Sequence, residues 1–250
     1  MKSRHLILAL TGACTAVALI ANAPQGISSE MDDLWMRATT IARANADWLP
    51  GRVEKQERVL NKKGELEIDN QVILEFGRSM EGAAEVRLVS YLANGKDVTS
   101  EARRETERKA LASLREDYAK GAQPPFASLG PGEQLIKTFE KTVVHGGKSC
   151  AVFRFIQTGG VQDIQGRVWI DCEDGDPLKT EIEVISAPFK DGRSTILGMK
   201  RTADFGRTAT GALCIVAERI EAAMRTSTLL HTFEGVIEDT LRYSAHWKET

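Results

Sequence analysis

Two periodicities divide the chain. Between residues 29 and 47, Met31, Leu34, Trp35, Ala38, Ile41 and Ala42 recur at three- and four-residue steps and share one face, so the spacing predicts an amphipathic helix. Ser29 is its expected cap, Glu30, Asp32 and Asp33 suit the positive end of the helix dipole, and Leu49-Pro50-Gly51 is its stop. The pattern then changes to alternation, predicting strands from Val53 to Asn61, Glu65 to Phe76 and Ala84 to Leu92. Lys62-Lys63-Gly64 and Asn94-Gly95 supply the turns. A second helix follows, about Thr99 to Lys120. Its first half, EARRETERK, is charged all round and reads as solvated, and Leu111, Leu114 and Tyr118 give the second half an apolar face. Residues 121–133, GAQPPFASLGPGE, have the composition of a loop, read first as a long surface loop within one domain, because both flanks have the same strand character, and second as a domain linker.

From Gln134 onward the alternation resumes. Strands are predicted at 135–144, 149–157, 166–172, 178–187, 194–204, 212–224 and 227–245, with turns at His145-Gly146-Gly147, Gly159-Gly160, Asp174-Gly175, Asp191-Gly192 and Gly206 to Gly211. Alternation without long apolar runs argues against a parallel α/β sheet and for antiparallel strands with one wet face, in an up-and-down sheet or barrel.

Residues 1–28 alter the picture of where such a domain works. Lys2, Arg4 and His5 precede an uncharged run from Leu6 to Ala23, the layout of a secretory signal peptide. Ala21-Asn22-Ala23 and Gly26-Ile27-Ser28 are the candidate cleavage sites. Export to the periplasm with cleavage is the first reading and a retained membrane anchor the second. The remainder, residues 29–250, is read as one domain. Losing Lys2 and Arg4 but no acid takes the formal charge from −2 to −4, which excludes a basic nucleic-acid binder.

Cys150, Cys172 and Cys214 remain after that removal. A hairpin turn centred on Val161 places Cys150 opposite Cys172, Val152 opposite Ile170 and Phe153 opposite Trp169. In an oxidising compartment this predicts a Cys150–Cys172 disulfide, with three buried free thiols as the alternative.

GRVWIDCEDGDPLK, residues 166–179, concentrates acids, yet it fails as a calcium loop. Counted from Asp171, the fifth position is Gly175, the sixth is Asp176 and the twelfth is Ile182. Asp174-Gly175 before Pro177 reads as turn chemistry. Thr142 replaces the first glycine of a phosphate loop before Gly147-Lys148-Ser149, and Phe126 the leading glycine of a nucleophile elbow around Ser128. His145, His231 and His246 have no metal-ligand spacing. No cofactor, metal site or enzymatic activity is expected.

Gly166, Val168, Trp169, Ile170 and Asp171, followed by a turn with Gly175 and then Pro177 and Lys179, resemble the G-x-V-W-I-D…G-x-P-x-K strand–turn–strand of the bacterial lipoprotein-carrier superfamily, the LolA/LolB-like proteins. The segment after the first helix, RVEKQERVL, departs from the carriers' A-x-F-x-Q type signature. The resemblance implies a mainly β (α+β) fold: a curved, incompletely closed antiparallel β-barrel with an N-terminal helix and a helical insertion covering the concave side. It also implies a monomer that binds lipid or lipoprotein acyl chains in an apolar cavity, with peripheral membrane contact, or else engages an envelope protein partner on the same fold. Leu34, Trp35 and Ile41 on the helix, with Phe153, Phe155 and Trp169 on the sheet, are the expected ligand contacts.

Overall fold

The structure is a computed structural model that describes residues 25–78, 84–122, 125–160, 162–185, 189–191, 194–227 and 232–248; the predicted leader and His231 lie outside these ranges. In chain order the elements are α1 (Gln25–Ala44), β1 (Trp48–Leu49), β2 (Arg52–Asn61), β3 (Leu66–Arg78), β4 (Ala84–Ala93), β5 (Lys96–Asp97) and α2 (Thr99–Ala122). They continue with β6 (Gln134–His145), β7 (Lys148–Thr158), β8 (Ile164–Asp171), β9 (Pro177–Val184), β10 (Phe189–Asp191), β11 (Ser194–Arg207), β12 (Leu213–Ser227), β13 (Thr232–Ser244) and β14 (Trp247–Lys248). No described helix is long and apolar enough to cross a membrane.

One antiparallel sheet of 12 strands dominates, in the order β5-β4-β3-β2-β13-β12-β11-β9-β8-β7-β6, with β10 on β11. Its two end strands do not meet, so the sheet stays open rather than closing into a barrel. The long strands carry register shifts at Ile73/Leu74, Phe139/Lys141, Trp169/Ile170 and Asp204/Phe205. Such bulges bend a strand and increase its twist. Asn94 and Gly95, at φ 50° and 78°, close the β4–β5 hairpin in the left-handed region that this dipeptide favours.

Both helices lie on the same face. The register pairs Ile182 of β9 with Arg201 of β11, so those two side chains share a side. Ile182 belongs to the core under α1, with Leu34, Trp35, Ala38, Phe126, Phe153, Phe155, Val168 and Ile170. A second core of Leu49, Val53, Phe76, Ala203, Ile215 and Tyr243 lies further across the same face, where α2 touches it through Ala110. The short β1–β14 pair closes over its end, where Gly51 passes so near the carbonyl oxygen of Ala245 that no side chain fits.

Three expectations are corrected. Helix α1 begins upstream, at Gln25, so Ser29 sits within the helix and does not cap it. The β7–β8 register is displaced by one residue: Phe153 faces Val168, Val152 faces Trp169, and Cys150 faces Asp171. Because side chains alternate with a period of two, that one-residue slip sends Cys150 and Cys172 to opposite faces of the sheet. Cys172 instead pairs in backbone with Ser149, and Cys150, Cys172 and Cys214 are all free thiols. The same slip removes Trp169 from the face that holds Phe153 and Phe155.

Two measurements check this packing. Unfolded without reductant, the chain from Gln25 onward should titrate three thiols, whereas a bridged hairpin would leave one. Gly166→Ala should destabilise by about 1–3 kcal/mol in urea titration, because a Cβ there would overlap the carbonyl oxygen of Glu181 and meet the Phe155 ring at 2.9 Å.

Candidate functional site

The space between α2 and the sheet is not filled. A cavity of about 850 Å³ lies there, within the ~300–1,000 Å³ of typical small-ligand sites. Its floor follows from the strand registers. Leu74, Val53 and Tyr243 form one row across β3, β2 and β13. Val72, Lys55, Leu241 and Glu218 form the next, across β3, β2, β13 and β12. Asn70, Glu57, Asp239, Ile220 and Arg201 form the third, ending on β11. The floor is therefore apolar at the end nearest Phe76 and charged at the other.

Helix α2 roofs the cavity with small residues. Ala102, Thr106 and Ala110 stand four apart on one side of the helix and line the space, with Glu105 and Lys109 beside them. Short side chains here leave the volume that Leu or Phe would occupy. The charged first half of α2 is thus not simply solvated. The helix is fastened at its start by the Asp97 carboxylate, which accepts the Thr99 amide at 2.9 Å, and by the Thr99 hydroxyl, which accepts the Tyr91 amide at 2.9 Å. Glu107 accepts the Leu88 amide at 2.8 Å and ties the middle of the roof to β4. The side chains of Leu111, Leu114 and Tyr118 lie outside the described set.

The charges in the floor are paired. Lys55 bridges Asp239 at 2.9 Å and Glu57 at 3.2 Å. Glu218, almost fully buried, is held by Arg201 and by the Tyr243 hydroxyl, which donates at 2.8 Å. Burial alone would lower the Lys55 pKa, but Asp239 and then Glu57 outweigh it and hold the ammonium charged. Asp239 goes the other way: burial raises its pKa, the attraction of Lys55 only partly offsets this, and Glu57 adds to the rise. The second carboxylate oxygen of Asp239, Oδ1, is buried without a hydrogen-bond partner, consistent with a group that resists ionisation.

The six expected contacts lie elsewhere. Leu34, Trp35, Phe153 and Phe155 are buried against one another under α1, with Trp35 edge-on to Phe153 at 5.3 Å and tilted against Phe126 at 5.5 Å. Ile41 is half-buried near the end of α1, where its carbonyl accepts the Asn45 side chain. Trp169 lies on the opposite face, with Lys179 5.0 Å above its ring and His145 beside it. None of the six lines the large cavity.

Three of the four acids of GRVWIDCEDGDPLK, Asp171, Asp174 and Asp176, are engaged in ion pairs with Lys148 and Arg207. Asp171 is buried and accepts from Lys148 and from the Glu173 amide. Burial would raise its pKa, but those bonds prevail and lower it. Asp176 takes a two-pronged bond from Arg207 at 2.6 and 2.7 Å. Gly175, at φ 79°, lets this turn sit against Arg37 of α1, which donates to the Glu173 carbonyl at 3.3 Å. Among the described residues no cluster of His, Cys, Asp and Glu could hold a metal ion. His246 keeps a depressed pKa because it is buried, and its Nε2 lies 2.9 Å from the Ile215 carbonyl oxygen.

Replacing Lys55 by Met should expose the cost of the carboxylate pair. Glu57 and Asp239 then face each other without a cation. Because Lys55 is about a third exposed, the loss at neutral pH should be ~2 kcal/mol, less than the ~3–5 kcal/mol of a fully buried pair. The folded-state pKa of Asp239 is raised, so its protonated form favours folding, and stability falls as pH rises through the window above the ordinary carboxylate value. The deficit of Lys55→Met should therefore shrink as the pH is lowered toward ~4, followed by urea denaturation across that range.

No known protein family matches the chain, and no curated protein matches it. Among solved structures, the chain is similar to an outer membrane lipoprotein-sorting protein domain from Vibrio parahaemolyticus, with a TM-score of 0.33 and 10% identity over 86% of this chain and 94% of that one. It is also similar to a DUF1329 family protein from Desulfovibrio piger, with a TM-score of 0.34 and 8% identity over 90% of this chain and 93% of that one. A third likeness is to the Pseudomonas aeruginosa MucA/MucB complex, with a TM-score of 0.23 and 11% identity over 85% of this chain and 99% of that one. These likenesses are distant, and the architecture described above rests on the chain's own strand registers.

Proposed function

We propose that this chain is an exported cell-envelope protein, a divergent relative of the LolA/LolB-like carriers, that binds the acyl chain of a lipid or lipoprotein beneath α2. The observation that carries the reading is the cavity of about 850 Å³ with an apolar end formed by Val53, Leu74, Phe76 and Tyr243. A chain laid on that end removes apolar surface from water, at ~25 cal/mol per Å². The opposite end, with Lys55, Asp239, Arg201 and Glu218, keeps polar groups for a head group. The basic, apolar and small-residue succession of residues 1–28 supports delivery to the periplasm.

The reading moves the ligand away from the α1 core. Phe153→Ala should cost ~3–5 kcal/mol of stability, because it opens a hole in a filled core. Val72 is half-buried in the floor beside Lys55, and Val72→Trp should fill the cavity while leaving the fold intact by circular dichroism. Native mass spectrometry of the exported protein, with solvent extraction of the same sample, is expected to show an adduct that extracts as phospholipid or acylated peptide. Val72→Trp should reduce that adduct and weaken uptake of a fluorescent fatty-acid probe by about tenfold or more. A clean unliganded mass together with no probe uptake would overturn the proposal and shift it to an envelope protein-interaction module.

A further inference from the structure

A second cavity, of about 440 Å³, lies under the C-terminal end of α1, among Ala42, Ala46, Phe126, Phe205, Leu213 and Ile215. Its position relative to the first is fixed by the strands. The large cavity takes Glu218 and Ile220 from β12 and Arg201 from β11; the small one takes Leu213 and Ile215 from β12 and Phe205 from β11. The two lie one after the other along the same strands, and the apolar end of the large cavity points toward the small one. From Ile220 to Leu213 is ~23 Å at ~3.3 Å per residue.

What separates them is the second core. Val53, Phe76 and Tyr243 line the large cavity and pack in one cluster with Ile215, which lines the small one. Phe205, also on the small cavity, packs against that cluster. The partition is therefore a layer of apolar side chains, pinned on its large-cavity side by the Tyr243 hydroxyl, which donates to Glu218 of the Arg201–Glu218 pair. The Asp204/Phe205 register shift in β11 falls at this point and lets Val216 bulge out of the ladder beside Ile215. Beyond the partition, Arg43 closes the small cavity by donating to the Phe126 carbonyl at 2.9 Å and the Ala127 carbonyl at 3.2 Å.

We infer that the small cavity is the distal compartment of one channel, and that it receives the terminal methylenes of a long acyl chain whose first part lies in the large cavity. The inference rests on the acyl-chain reading above and adds a chain-length selector to it. A short chain ends before the partition. A long chain displaces Ile215 and Phe205 and buries its end against Ala42, Ala46 and Leu213. The polar head stays at the Lys55, Asp239 and Arg201 end, because the distal compartment offers only Arg43, whose guanidinium is already committed to backbone carbonyls, with Asn45 and Ser128.

Decanoate and stearate, titrated separately by native mass spectrometry against the delipidated full-length mature protein, test this. The wild type should bind stearate more tightly than decanoate. Ala46 is exposed on the turn after α1, so Ala46→Trp can fill the distal compartment from its rim. It should lower stearate affinity by about tenfold and leave decanoate within roughly twofold. Ala46→Cys, folded first and then blocked with a bulky thiol reagent in a Cys172→Ser, Cys214→Ala background, should reproduce that result without burdening folding. Equal effects on both chains, or no effect on either, would overturn the selector and leave the carrier reading standing. If neither fatty acid binds the wild type, the carrier reading falls, and the selector falls with it.

Discussion

Area governs this molecule. An open sheet of 12 strands, spaced ~4.8 Å apart, presents one face roughly 50 Å across. A helix with its side chains covers a strip only ~10 Å wide. Two helices cannot seal such a face. One end is closed by α1, whose large side chains interlock with Phe153 and Phe155. The middle closes on itself, through Val53, Phe76, Ile215 and Tyr243, with help from the β1–β14 pair. Over the remainder α2 passes at a distance, presenting Ala102, Thr106 and Ala110. The cavities are what is left when a wide concave surface is covered by too little helix.

The same shortage explains the buried charges. Where large apolar residues would have filled the floor, β2 and β13 place Lys55, Glu57 and Asp239 inward. Ion pairs in such positions seldom stabilise more than apolar replacements would, since desolvation cancels much of the attraction. Their effect is to stop the floor from collapsing into a dry core. Glu218, tied to Arg201 and Tyr243, fixes the boundary between that charged floor and the apolar partition. The graded surface thus arises from alternation within single strands: β2 points Val53, Lys55 and Glu57 the same way, from apolar to charged.

Much of this architecture was legible in the chain. Alternation gave the long strands, and Lys62-Lys63-Gly64, Asn94-Gly95 and His145-Gly146-Gly147 marked the turns that the structure contains. The three- and four-residue spacing in residues 31–42 correctly identified the buried side of α1. The strands of two and three residues, β1, β5, β10 and β14, are too short to show a period. The β7–β8 register was not legible, because Gly159-Gly160 marks a turn without fixing its centre, and one residue of error inverts every face. The cavity is hard to read from the chain for a different reason. Bulky residues such as Trp35 and Phe153 fill space, whereas the signal of a cavity lies in small residues four apart in α2 and in charges at inward positions of β2.

The separation of Cys150 and Cys172 by the thickness of the sheet reaches beyond the hairpin itself. A fold without a covalent staple owes its shape to burial and backbone pairing alone, and those forces act alike on either side of a membrane. Reduction therefore removes no cross-link from the described fold, and the half-buried Cys172 is the thiol its surroundings reach most readily. Among the described residues, no disulfide has to form for the chain to reach that shape.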